Sequence, residues 1–206
     1  MLRIVTALRR SIAGQAAICS LLAALLLLPV APAPAADAVP GAPDAVKVAA
    51  LVKLFGDLKL AANPTAARVV EQQIWQAWLQ SGDDSVDGMT QQSIYAMQSG
   101  QLQVALALLD AVVSKAPGFA VGWNKRATVL YMLGQLDRSL EDCGKVLALE
   151  PRHFGALSGV GLIRIAKGDK PGALDAYRKV IGIYPQSLSA RANVEALEKE
   201  LEGDPT

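Results

Sequence analysis

The chain has 206 residues, 20 Lys+Arg against 19 Asp+Glu, a formal charge of +1, one histidine and two cysteines. Such a balance leaves no basic footprint for nucleic acid. A lone histidine and two distant cysteines exclude a metal site built from several His or Cys ligands.

Residues 1–36 carry Arg3, Arg9 and Arg10 and no acid. Leu21 to Val30 is almost wholly apolar, and Pro29, Pro32 and Pro34 then break any helix. Ala33-Pro34-Ala35 offers a small-x-small cleavage site, so the segment reads as a secretory signal peptide with a mature start near Ala36. The alternative is retention as an inner-membrane anchor, because Ser11 to Leu28 could just cover a thin bilayer. Ile18 before Cys19 argues against a lipoprotein site. All 19 acids and 17 of the 20 bases follow this segment, so the mature chain is near −2. Its one cysteine, Cys143, cannot form an intramolecular disulfide.

Residues 37–43 form a Pro/Gly/Ala linker, and residues 44–85 read as a helical pair. In its first helix Val48, Leu51, Leu54, Phe55 and Leu58 follow helical spacing. Asn63-Pro64 supplies a cap and a first-turn proline for the second, whose one side carries Val70, Ile74, Ala77 and Trp78. Trp75 lies 34 residues before Leu109, in step with the pattern described next. Other registers fail, with Ala66 where a glycine is expected and Asp83 where a proline is. The expectation is a degenerate pair capping the N-terminal end of an array.

From residue 86 to 185 one pattern recurs every 34 residues. Gly100, Gly134 and Gly168 keep that spacing, as do Pro117, Pro151 and Pro185. Small residues repeat at Ala105, Ser139 and Ala173, and at Ser93, Ala127 and Gly161. Larger ones repeat at Met89, Trp123 and Leu157, at Leu109, Cys143 and Tyr177, and at Val112, Val146 and Val180. Each unit reads as two helices, A and B, with glycine after A and proline after B. In the second unit A spans roughly 120–133 and B 136–149. Residues 186–206 give a last helix, apolar at Val194, Leu197 and Leu201 and charged at Arg191, Glu195, Glu198 and Lys199, as a capping helix needs, and a tail.

These registers resemble the tetratricopeptide (TPR) repeat family. The resemblance implies an all-α solenoid of three repeats. The segments Trp123–Ala127 and Glu150–Leu157 also resemble those of small exported alphaproteobacterial TPR proteins. In this family the A helices line a concave groove. Carried over, the groove here would hold Gln91, Ile94 and Gln98 of the first repeat, Asn124, Lys125, Thr128 and Tyr131 of the second, and Gly155, Ser158, Gly159 and Leu162 of the third. The carboxylate-clamp subtype needs Lys, Asn and Arg where Thr90, Ile94, Lys125, Gly155 and Gly159 stand, so that mode is not implied.

Few residues suggest chemistry. His153 has no second ligand nearby in sequence and reads as a packing or capping side chain. Cys143, at the large register inside helix B, reads as a buried inert thiol. Asp83, Asp84 and Asp87 open a helix, where acids cap amides and favour the dipole. Gly155 and Gly159 share a helix face and have no place in the repeat, which implies a close approach to that face. The expectation is therefore an exported, non-enzymatic periplasmic adaptor without a cofactor. Its groove binds a protein or peptide partner, and a membrane is involved only if the leader is retained. An enzyme subunit is the reading from another class, and it finds no His, Cys or acid constellation to carry it.

Overall fold

The computed structural model describes residues 45–203; the expected leader at 1–36, the linker at 37–43 and the tail beyond Gly203 lie outside the described residues. Nine helices and no strand occur among those described: α1 (Ala45–Leu60), α2 (Pro64–Trp78), α3 (Asp84–Gln98), α4 (Leu102–Lys115), α5 (Ala120–Met132), α6 (Leu136–Leu149), α7 (Phe154–Ala166), α8 (Lys170–Ile183) and α9 (Leu188–Glu202). Helices α3–α8 form three consecutive A–B pairs, and α9 packs on α8. None of the nine is long and apolar enough to cross a membrane.

The repeating glycines turn the chain between A and B. Gly100, Gly134 and Gly168 have φ of +71°, +73° and +79°, a region that costs a Cβ-bearing residue strain. Around Gly134 the Gln135 N–H reaches the Leu130 carbonyl at 2.8 Å and the Gly134 N–H the Tyr131 carbonyl at 2.9 Å. This double bond satisfies the last carbonyls of α5 and aims α6 back along it. At the crossing, Ser139 Oγ donates to the Ala127 carbonyl at 2.7 Å, a contact only small residues permit. Gly161 is small for the same reason, since a Cβ there would lie 2.6 Å from the Tyr177 ring. The registers Leu109/Cys143/Tyr177 and Val112/Val146/Val180 are all buried. Each such aliphatic or aromatic side chain contributes roughly 1.5–3 kcal/mol through burial.

Trp123 stands at a large register of the repeat, yet it is not a core residue. Its ring is only half-buried and its Nε1 donates to the Pro117 carbonyl at 2.8 Å. The guanidinium of Arg126 and the ammonium of Lys145 lie 4.7 and 5.2 Å from its ring centroid. Arg126 also makes a two-pronged pair with Asp142 at 2.7 and 2.8 Å and reaches Asp110 at 2.9 Å. One guanidinium thereby ties α5 to both α4 and α6, and its carboxylate partners hold its pKa above the usual value.

The N-terminal pair is placed differently from a further stacked unit. Its rings lie against the third repeat. Trp78 stacks on His153 with centroids 4.1 Å apart, and Phe154 meets Phe55, Trp75 and Trp78 at 6.5, 5.7 and 5.2 Å. Glu71 accepts from Tyr184 Oη at 3.1 Å, and Gln186 Nε2 donates to the Ala61 carbonyl at 3.3 Å. The physical reason is the apolar face Leu51, Phe55, Leu58, Ile74 and Trp78, all buried against the array. At the other end α9 buries Leu197 and exposes Arg191, Glu195 and Lys199, and Glu198 pairs with Arg178 at 2.7 Å.

Candidate functional site: the A-helix groove

Three A helices, α3, α5 and α7, carry the eleven expected groove residues. Six of them come together around one hollow of about 60 Å³: Asn124, Thr128, Tyr131, Gly155, Gly159 and Leu162. Its floor is made by Ala127, Ser139, Cys143 and Ile163. The Cys143 thiol is buried and pushed up to about 12 by desolvation, so it stays protonated and inert, as the sequence implied. A Cβ added at Gly159 would touch Cys143 Sγ at 3.4 Å, an ordinary contact, so this glycine leaves space above the thiol.

Asn124 is the amide of the hollow. The residue as a whole is 8% exposed, its amide makes no hydrogen bond with a described residue, and the amide atoms are not among the fully buried unpartnered ones, so they open to the solvent of the hollow. An amide without a protein partner at the mouth of a hollow keeps two donors and an acceptor free for a ligand. Thr128 is committed, donating Oγ1 to the Asn124 carbonyl at 3.0 Å, and Ser158 donates to the Phe154 carbonyl at 2.8 Å. Leu162 and, one turn on, Ile165 are 43% and 40% exposed and give an apolar wall.

The remaining residues lie outside the hollow. Gln91 and Gln98 are exposed on α3 and Ile94 is half-buried there. Lys125 turns toward the N-terminal pair, its ammonium 5.5 Å from the Trp75 ring centroid, and burial lowers its pKa. Gly155 has the close neighbour that its lack of bulk implied. A Cβ there would lie 3.0 Å from two atoms of the Trp75 indole. The neighbour belongs to the chain itself. Trp75 is the residue that sequence reasoning missed, because its register with Leu109 tied it to the repeat pattern and gave no sign of the third repeat. The unplaced Gly155 was the one signal of its real location.

His153 caps α7, its Nδ1 accepting from the Ala156 N–H at 3.1 Å. The acceptor role of Nδ1 assigns the neutral ring's proton to Nε2, which is buried and has no partner; Trp78 Nε1 is likewise orphaned. Asp83 caps α3 by accepting from the Ser85 and Val86 N–H groups at 2.9 and 3.1 Å, and Asp87 accepts from the Ser81 N–H at 2.8 Å. Among the described residues no group of three or more His, Cys, Asp or Glu could hold a metal ion.

Comparison with known proteins fits this geometry. Residues 90–144 and 125–187 match a family model described as tetratricopeptide repeat. A TPR repeat-containing protein of Rhizobium etli is 33% identical over 156 residues, 76% of this chain and 76% of that protein. General transcription factor 3C polypeptide 3 of Homo sapiens is 28% identical over 165 residues, 77% of this chain but 18% of that protein. Among solved structures, the first TPR of Spaghetti (RPAP3) bound to an HSP90 peptide superposes with a TM-score of 0.56 at 18% identity, covering 58% of this chain and 95% of that one. The type III secretion chaperone SycD of Yersinia enterocolitica, in complex with a peptide of the translocator YopD, gives 0.54 at 11% identity over 58% and 96%. At those identities the likeness is one of fold.

Proposed function

The chain belongs to the tetratricopeptide-repeat family, and from that premise we propose that it is an exported adaptor holding a protein or peptide partner in the groove of its A helices. One observation carries the reading: the Asn124 amide, uncommitted to any described residue and opening into a hollow walled by Tyr131 and Leu162 and left open by Gly159. An amide can donate to and accept from an extended main chain at once, and the wall suits an aliphatic side chain beside it. Two of the solved structures similar in fold were determined with peptides bound. The periplasm is the proposed compartment, on the basic start, apolar run and Ala33-Pro34-Ala35 of the leader; an uncleaved leader would make the same adaptor an inner-membrane-anchored one.

The test begins with affinity capture from the envelope of the native cell, followed by titration of the recovered partner. Gly159→Arg should abolish binding while helicity is retained, because arginine is the better helix former and fills the hollow. Asn124→Ala should weaken binding by roughly 1–3 kcal/mol. Parent-like affinity in Gly159→Arg would move the partner to another surface.

A further inference from the structure

The groove is not equally open along its width. Gly155 lines the hollow and also faces the Trp75 indole, so α2 stands against the A-helix face beside the hollow's Gly155 end. Lys125, the groove's cation, is covered by the same ring and has no ion pair among the described residues.

The contact that covers them is apolar in area but poorly satisfied in its polar groups. Trp78 Nε1 and His153 Nε2 are buried in it without partners, and the Lys125 ammonium loses water without gaining a carboxylate. Two side-chain hydrogen bonds to the C-terminal end of the array cross it, Tyr184 to Glu71 and Gln186 to the Ala61 carbonyl. The link from α2 to α3 is short and holds Gly82 at φ +88°, with nothing near where its Cβ would be. The unsatisfied polar groups offset part of what the buried apolar face contributes, and the glycine-containing link lets the pair move without unwinding α3.

We propose that α1–α2 is a releasable plug: it undocks as a unit while the three repeats stay folded, and undocking opens the groove at Gly155 and Lys125. The partner of the groove then competes with Trp75 for the face of α7, and the apparent affinity is reduced by the docked fraction. This inference rests on the groove reading above, but its test needs no partner, so failure to find one would leave the result standing.

The experiment is hydrogen exchange of the full chain, combined with pulse acetylation of lysines by N-hydroxysuccinimidyl acetate. Gly155→Leu adds bulk against Trp75 and replaces a poor helix former with a good one. The expected result is exchange in 45–78 faster by about tenfold or more, with 120–183 keeping parental protection. Lys125 should acetylate faster by a similar factor, with exposed Lys145 unchanged as the control. If Gly155→Leu unfolds throughout, the double variant Tyr184→Phe/Gln186→Ala, which deletes only the crossing hydrogen bonds, decides the question. Loss of protection in 45–78 and 120–183 together in the double variant, or no change in either segment in both variants, overturns the proposal.

Discussion

Burial between Trp78 and Trp75 keeps the His153 imidazole neutral, with a pKa pushed down to about 4 mainly by desolvation. Unfolding would return it to about 6.5. The unfolded state therefore binds a proton that the folded state refuses across that interval. Stability is fully present above pH 6.5, falls between 6.5 and 4, and by pH 4 this residue should have removed about 3 kcal/mol. Urea melts of the parent against His153→Asn, which keeps a capping side chain, should show that slope only in the parent. A parental slope in the variant would assign the acid sensitivity to carboxylates. Arg126 gives a second expectation at this scale. Asp142→Ala leaves a guanidinium that is 17% exposed with only Asp110 for a partner, and should cost roughly 2–3 kcal/mol. Trp123→Ala, a truncation of a half-buried ring clasped by two cations, should cost less than a core tryptophan, about 1–2 kcal/mol. Thermal or urea melts rank the two.

Elements obey the repeat wherever their contacts are local. Gly134→Val should cost more than helix propensity alone, since φ is +73° at a position where no side chain crowds it. A melt no worse than that of an exposed Gly→Val elsewhere would remove the left-handed turn from the explanation. That turn was legible in the sequence because a period of 34 repeats every intra-unit contact, so one residue type reports three copies of one environment. The same logic placed the small residues Ser139 and Gly161 and the buried Cys143. It failed for α2. The third-repeat partners of Trp75, namely His153, Phe154 and Gly155, lie nearly eighty residues away and occur once, so no periodicity records them. Asn124 was legible as a groove position, whereas its lack of a bonding partner became visible only with Thr128 and Ser139 seen bonded elsewhere.

At the scale of the whole molecule, the A-helix face is partly occupied by the chain's own rings, with Trp75 against Gly155 and beneath Lys125. Under the proposed function a partner would enter where Leu162 and Ile165 are exposed, next to Asn124, and would meet Trp75 beyond Gly155. Export belongs to this scale too. Sequencing the N-terminus of protein purified from the envelope should give a start near Ala36, and an intact Met1 in the membrane fraction would replace the periplasmic adaptor with a tethered one. The most direct test of groove binding is site-specific photo-crosslinking in the native cell, with a photoreactive phenylalanine analogue placed at Leu162 on α7 or at Val104 on α4, both exposed. A discrete adduct from Leu162 and none from Val104 is the expected result; an adduct from Val104 with none from Leu162 would contradict the account.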